Sequence, residues 1–328
     1  MKNISIFHSS EFLNAFYGST WMRFSKQADG AAFEHTPVLN EIDDTGLYYS
    51  EAWRGYAEPY FSGNSVRLTS ALNDYSAWCR EQAIVCELLR LDPHGKLLSH
   101  LPKTADAQIR VGQPVAILRV PSDYQSYLRS LPLPCQRILR AGAKRLTVEI
   151  IRHDDAAAIA AAAEMHLRSL NRVGAAKKWV VRAESLAALA ALPNFVCVGI
   201  RHVSSQTLVS FGGALFDQRA LHVLLVGNSL GEWGRGACDL LYATFVQQAI
   251  ERGSTVSHIY FGGGRSLDGS DSLFRFKLKY SLGEALSCNY LAVVHDKKAA
   301  EQLATRPKPE RVISEPLGSL QRECFPFL

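Results

Sequence analysis

Three cationic side chains alternate with apolar ones in one short stretch of the sequence. Arg275, Lys277 and Lys279 are separated by single apolar residues in FRFKLKY, residues 274–280. Because the side chains of a β-strand repeat with a period of two, the alternation predicts a strand with one buried face and one cationic face. Two interpretations of the cationic face stay open: solvated lysines on an ordinary strand, or a surface that holds an anionic group.

A second group of cations and a cluster of aromatic residues are further candidates. Arg137, Arg140 and Lys144 have the spacing i, i+3, i+7 and share one face of a predicted helix, where they either bind an anion or are solvated. Tyr56 and Tyr60 belong to a segment rich in aromatic residues, glycine and proline. Such a loop either packs on the surface or lines a ligand site.

The composition is that of a globular protein. The chain has 328 residues, 47% of them hydrophobic and 20% charged, which is enough to build the core of one large or two ordinary domains. The net charge of +5 permits a polyanionic partner without implying one. The seven cysteines include no C-x-x-C pair and the sequence has no H-E-x-x-H. We therefore expect reduced thiols, no metal and a cytoplasmic protein without a membrane span.

The hydrophobic pattern predicts an α/β chain in which strands and helices recur. A helix is expected to start at Ser122, and an amphipathic helix that ends at Gly253 is expected between two strands of the C-terminal half. Strands are predicted at 83–91, 113–120, 146–151, 195–202, 207–217, 220–228 and 285–295.

The order strand, strand, turn, long helix, strand resembles the core of a GNAT acyltransferase. Two such modules in tandem resemble the FemABX family of aminoacyl-tRNA-dependent transferases and its FemAB-like relatives. The likeness is carried by RGYAEPYFSG, by CQRILRAGAKRLTVEII and by the stretch from DLLYATF to FRFKLKY, which includes an F-K pair. This last stretch is the most specific part of the likeness. The resemblance implies two tandem GNAT-like domains, 1–140 and 141–328, each a mixed, mostly antiparallel sheet flanked by helices.

The resemblance also implies which residues do chemistry. Phe276 and Lys277 fall on the family's F-K pair, whose lysine is implicated in catalysis. Attack of an amine on an aminoacyl ester creates an oxyanion, which a preorganised ammonium group stabilises. Residues expected to bind the donor and its phosphates are Arg275, Lys279, Arg265, Gly262, Gly263, Gly264, Gly234, Arg235 and Gly236. Residues expected near the acceptor are Tyr56, Tyr60, Arg137, Arg140 and Lys144.

The implied activity is amide formation. An aminoacyl group would pass from aminoacyl-tRNA to the amine of a small or peptidyl acceptor, of the natural-product or peptidoglycan-precursor kind, on a monomer without a resident cofactor. One alternative is a GNAT N-acyltransferase that uses acyl-CoA, favoured by the glycines of GEWGRG, residues 231–236, before a helix. A second alternative is a non-catalytic GNAT-fold binding protein. For the general base the sequence leaves Glu87 and Asp92 open.

Overall fold

A computed structural model describes residues 4–28, 30–56, 58–101, 107–229, 231, 235–306 and 316–328. The chain forms two compact units. Unit 1 comprises Met1–Gln113 and Ser287–Leu328, and unit 2 comprises Pro114–Leu286. The domains expected from the resemblance, 1–140 and 141–328, divide the chain at a different point, and that division stays a prediction.

The described residues form alternating strands and helices, as the sequence predicts. The first segment contains α1 Ser10–Tyr17, β1 Phe24–Ala28, β2 Ala31–His35, β3 Leu39–Glu41, β4 Tyr48–Ser50, β5 Tyr60–Ser62, α2 Ser65–Glu81, β6 Ile84–Arg90, α3 Leu97–His100 and β7 Ala107–Arg119. The middle segment contains α4 Tyr124–Ser130, α5 Leu133–Gly142, β8 Leu146–Ile150, α6 Ala156–Arg172, α7 Ala183–Ala190, β9 Phe195–His202, β10 Leu208–Asp217, β11 Ala220–Asn228, α8 Ala237–Glu251, β12 His258–Gly262 and α9 Ser272–Tyr280. The chain continues with β13 Ala285–Val294, α10 Lys297–Ala304 and α11 Pro316–Cys324.

Unit 2 contains the strand order that resembles a GNAT core. β9, β10 and β11 form an antiparallel meander with β8 on its outer edge, and β11 is parallel to β12. The helix α8 connects β11 to β12, so the parallel pair has the helical crossover that such pairs need. Its core packs α4, α5, α8 and α9 against these strands and includes Leu241, Phe245 and Phe261, each buried to 1% exposure or less. The mixed, mostly antiparallel α/β sheet is thus confirmed for this unit.

Unit 1 repeats the parallel crossover. β4 and β6 are parallel neighbours, and the chain between them runs through β5 and the long helix α2. β13 returns from the far end of the chain to pair antiparallel with β6, where Tyr290 lies opposite Arg90. Its core packs α2 on β6 through residues such as Leu68, Cys79 and Ile84, all at 0% exposure. The repeated parallel crossover supports the tandem architecture, and the return of β13 is a pairing that a local pattern cannot reveal.

Two expected elements differ in the structure. Residues 274–280 were expected to be a strand, but Ser272–Tyr280 is the helix α9. The cause is Asp271, whose side chain accepts hydrogen bonds from the backbone N–H groups of Leu273 and Phe274 and so caps a helix. The helix expected from Ser122 begins at Tyr124, because Asp123 is its N-cap residue.

His8 couples the stability of unit 1 to pH. Its ring lies in the core at 1% exposure, with Nδ1 2.6 Å from Thr36 Oγ1 and Nε2 2.8 Å from the carbonyl oxygen of Glu58. Burial, followed by the positive charge of His35, lowers the pKa of His8 to about 4 from 6.5. Between these two pKa values, His8 is protonated in the unfolded chain but not in the folded chain. The free energy of unfolding therefore falls as the pH decreases from 6.5 towards 4.

We expect the free energy of unfolding to decrease by about 2 kcal/mol between pH 7 and pH 5 because of His8 alone. Urea denaturation at the two pH values measures this change. In His8→Gln, which keeps a donor and an acceptor but does not titrate, the decrease should shrink by that amount. An unchanged decrease in the variant would show that His8 is not its source.

Candidate active site

The parallel strands β11 and β12 of unit 2 separate towards their carboxyl ends. Their pairing covers only Ala220 to His222 opposite His258 to Tyr260. Beyond that point β11 continues beside β10 as far as Asn228, while β12 continues beside β7 as far as Gly262. Divergence of neighbouring strands at their carboxyl ends is where open α/β sheets bind ligands. This open end of the sheet is therefore the candidate site of unit 2.

Lys277 lies next to this open end. Its Nζ donates a hydrogen bond of 2.6 Å to the carbonyl oxygen of Gly263, the residue that follows β12. Gly262 has a φ of +84°, and a Cβ atom on it would lie 3.2 Å from Lys277 Nζ. A side chain at position 262 would thus be strained and would crowd the ammonium group. The structure thus brings Lys277 together with Gly262 and Gly263, and the catalytic and donor-binding roles of these residues stay predictions.

Asp271 organises the turn between the glycines and α9. One carboxylate oxygen caps the helix, and the other accepts hydrogen bonds from the backbone N–H groups of Arg265 and Ser266 at 2.8 and 3.1 Å. Burial alone would raise the pKa of Asp271, but these hydrogen bonds outweigh it and lower the pKa. A Cβ atom at Gly264 would lie 2.0 Å from the same carboxylate, so only glycine fits there. The sequence analysis did not single out Asp271, although an Asp-Ser pair before an apolar run is a helix-start signal.

We expect Asp271→Ala to reduce the free energy of unfolding by about 1–2 kcal/mol, because the helix loses its N-cap and the turn loses the bonds from two backbone N–H groups and from the Ser266 hydroxyl. Urea denaturation measures the loss. Ser272→Ala is the matched control, since Ser272 is exposed at the first position of α9 and should change stability little. Equal stability of the two variants would refute the capping role.

In the helix α9 the three cations that the strand prediction placed on one face lie on different sides. Arg275 and Lys279 are one turn apart and exposed, whereas Lys277 is partly buried on a different side of α9. The expectation that Arg275 and Lys279 flank Lys277 along a strand is therefore wrong. Phe276 anchors the helix, with its ring centroid 5.1 Å from that of Tyr242 and 5.2 Å from that of Tyr280.

The second glycine-rich segment leads into the N-terminus of α8. Gly236 is the N-cap residue with a φ of +83°, and a Cβ atom there would lie 3.1 Å from Ile138 Cγ2 of α5. The glycine thus allows α5 to pack closely against the start of α8. Arg235 is exposed, and its carbonyl oxygen lies 3.5 Å from Nη2 of Arg145. Gly234 lies outside the described residues.

The residues expected near the acceptor are distributed over both units. Arg137 and Arg140 are exposed on α5, and Lys144 is exposed just after that helix ends. In unit 1, Tyr56 is only 7% exposed, and Arg90 Cζ lies 5.2 Å from its ring centroid. This packing leaves little of the Tyr56 ring open for stacking on a base. Tyr60 is half-buried in β5. A role of these five residues in acceptor binding stays a prediction.

His222 and Tyr260 are residues that sequence reasoning missed. They form the last pair of the parallel ladder, and their rings stack with centroids 4.6 Å apart. Both side chains are buried at 3% exposure, beside the point where the strands separate. Nothing in the local sequence indicates this pairing, because it depends on the register between β11 and β12.

The described residues contain no group of three or more His, Cys, Asp and Glu side chains placed to hold a metal ion. Among the same residues, no helix has both the length and the apolar character that crossing a bilayer requires.

No protein-family model and no curated protein matches this chain, whereas solved structures do. FemX is similar with a TM-score of 0.63 and 13% identity, over 90% of this chain and 92% of that one. The C-terminal domain of a putative lysylphosphatidylglycerol synthetase from Agrobacterium fabrum has a TM-score of 0.56 and 15% identity, over 90% of this chain and 88% of that one. L-PGS from Bacillus licheniformis has a TM-score of 0.56 and 12% identity, over 89% of this chain and 92% of that one. The chain therefore has the fold of FemX and of the lysylphosphatidylglycerol synthetase domain, as its resemblance to the FemABX family predicted.

Proposed function

We propose that this protein is an acyltransferase that forms an amide by moving an aminoacyl group from aminoacyl-tRNA to the amine of a small or peptidyl acceptor. The observation that carries the proposal is the position of Lys277. Its ammonium group is held by the carbonyl oxygen of Gly263 beside the open end of the sheet in unit 2. A partly buried, oriented cation at such a place is suited to a reaction in which negative charge develops.

The reaction balances without a resident cofactor. The acceptor nitrogen attacks the ester carbonyl carbon, a C–N bond forms, and the carbonyl oxygen becomes an oxyanion. The intermediate collapses by breaking the ester C–O bond and expelling the ribose oxygen, which takes up the proton that the amine gives up. Lys277 stabilises the oxyanion, and the activated ester supplies the driving force, so that positioning the two reactants is most of the remaining task.

The fold supports this class of reaction. A lysylphosphatidylglycerol synthetase, by its name, joins a lysyl group to a lipid, and this chain shares the fold of such a domain over most of its length. Within that fold, the F-K pair at Phe276 and Lys277 indicates which side chain would act in the reaction, namely Lys277. Phe276 packs α9 on Tyr242 and Tyr280 and so fixes the helix that carries Lys277.

An acyl-CoA donor is the second candidate, favoured by one observation. Gly236 opens the fifteen-residue helix α8 with a positive φ, and backbone N–H groups at a helix start bind phosphate whatever molecule carries it. The pyrophosphate of CoA would fit such a place as well as the phosphates of a tRNA acceptor end.

A donor screen distinguishes the two candidates. Purified protein is incubated with a mixture of amines and either a pool of charged tRNAs or a set of acyl-CoAs, and amide products are detected by mass spectrometry. We expect product with charged tRNA that disappears after RNase treatment. Product with acyl-CoA, insensitive to RNase and accompanied by free thiol, would establish the second candidate. No product with either donor would favour a non-catalytic binding protein.

A further inference from the structure

Unit 1 contains a cavity of about 530 Å³ under the helix α2. This volume is in the range of about 300–1,000 Å³ that small-molecule sites occupy. The helix α2 contributes to the cavity lining three residues that are about one helical turn apart, Thr69, Asn73 and Ser76. Most of its walls are apolar, formed by Phe33, Leu72, Leu89, Leu101, Leu291 and Val293, while the exposed cations Arg80 and Lys297 also line it. The cavity therefore offers a mainly apolar space large enough for a small organic molecule.

A buried carboxylate lies against this cavity. Glu87, on β6, is 1% exposed and accepts hydrogen bonds from His35 Nε2 at 2.9 Å, Ser50 Oγ at 2.7 Å and the Tyr75 hydroxyl at 3.0 Å. Burial alone would raise the pKa of Glu87, but the charge and hydrogen bond of His35, with His295 close by, outweigh burial and lower it. Glu87 is consequently an anion at neutral pH, and its lowered pKa makes it a weak general base.

His295 lies beside Glu87 with one ring nitrogen unpaired. Its Nδ1 is 3.1 Å from Ser76 Oγ, and Arg80 donates a 3.1 Å hydrogen bond to its carbonyl oxygen. Its Nε2 is buried, has no hydrogen-bond partner among the described residues, and lies 3.7 Å from Glu87 Oε2. That separation is too long for a hydrogen bond. An unpaired buried nitrogen is unfavourable, and a ligand that pairs with it removes that cost.

The two atoms belong to residues that line the cavity, and their spacing lets one ligand atom pair with both. A carboxylate has about four acceptor positions. Oε1 of Glu87 accepts from His35 and Ser50, and Oε2 accepts from Tyr75 alone among the described residues, which leaves one acceptor position on Oε2. A nitrogen placed about 2.8 Å from both Oε2 and Nε2 completes a triangle with their 3.7 Å separation. An ammonium group can donate to both atoms when His295 carries its proton on Nδ1 and donates it to Ser76.

We propose that this cavity is a second ligand site, which binds a primary amine with an apolar body. The ammonium group pairs with Glu87 and His295 at the polar end, and the body lies between Leu72, Leu89 and the other apolar walls. The buried anion favours a cationic head, since a carboxylate head would meet like charge at Glu87 and a neutral head would gain no ion pair there. The site requires nothing of Lys277 and is independent of the acyl-transfer proposal.

Isothermal titration calorimetry on the full chain tests the site with 2-phenylethylamine, 2-phenylethanol and phenylacetate. These probes share one apolar body and differ in the head group. We expect the amine to bind at least about tenfold more tightly than the alcohol and more tightly still than the carboxylate. Equal affinity for the amine and the alcohol would overturn the assignment of the head group, and the absence of heat with all three would overturn the site.

A variant that fills the opening of the cavity tests whether the amine binds there. Asn73 is exposed on α2 at the cavity wall, so Asn73→Trp places a large ring over the opening without disturbing the core. Ser70→Trp is the matched control, since Ser70 is exposed on the same helix but does not line the cavity. We expect amine affinity to decrease at least about tenfold in Asn73→Trp and to persist in Ser70→Trp. Unchanged affinity in Asn73→Trp would refute the location.

Discussion

Lys277→Met is expected to reduce the rate of amide formation by about 10²–10³-fold, since the removal of one preorganised oxyanion-stabilising group has effects of this size. Methionine keeps most of the length of the side chain and removes the charge. The hydrogen bond to Gly263 is lost, but it lies at a partly buried position where water can replace the ammonium. Single-turnover rates with saturating donor, together with the thermal midpoint of each protein, measure the effect.

Lys279→Met is the matched control for this prediction. Lys279 lies two residues further along α9, is exposed, and has its Nζ 5.8 Å from the ring centroid of Phe276. Its replacement should leave the single-turnover rate within about twofold, since saturating donor masks a loss of donor binding at Lys279 and exposed charges contribute little to other steps. If both variants lost activity equally, the effect would belong to the charge of the helix and not to an oriented ammonium group. If Lys277→Met retained full activity, the mechanism would be wrong while the fold would stand.

The strands of unit 2 could be predicted because each is a continuous buried run bounded by turns. β9 and β11 have the predicted bounds, 195–202 and 220–228, and β10 differs by one residue. The stretch 274–280 was assigned wrongly because an alternation of seven residues also places Phe274 and Leu278 one helical turn apart. The capping bonds of Asp271 decide between the two conformations, and they belong to the residues before the stretch.

The candidate active site was partly predictable, and the cavity of unit 1 was not. Lys277 and the glycines near residue 263 lie within fifteen positions of each other, so one motif contains them. The polar end of the cavity joins His35 to Glu87 across 52 positions and Ser76 to His295 across 219. His295 follows β13 and comes close to Glu87 through the pairing of β13 with β6, which places Val293 opposite Glu87. Single histidines scattered along a sequence give no sign of that meeting.

Glu87→Leu is expected to lower the free energy of unfolding by about 3–5 kcal/mol, the size found when one partner of a buried ion pair is removed. The substitution introduces an apolar side chain of similar volume. It leaves the hydroxyl groups of Ser50 and Tyr75 and one ring nitrogen of His35 without their acceptor. Urea denaturation at pH 7 measures the loss. Glu81→Leu is the control, because Glu81 is exposed at the end of α2 and should change stability by less than about 0.5 kcal/mol.

The pH dependence of the free energy of unfolding distinguishes the contribution of the Glu87 charge from that of its shape. Because the folded-state pKa of Glu87 lies below its usual value of 4.5, the carboxylate adds stability above pH 4.5 that is lost as the pH falls through the folded-state pKa. Glu87→Gln keeps an acceptor oxygen but cannot ionise, so its stability should fall less steeply than that of the unmodified protein below pH 4.5. Parallel acid-unfolding curves of the two proteins would mean that His35 and His295 do not stabilise the carboxylate as an anion, and the cationic head assigned to the ligand of unit 1 would lose its basis.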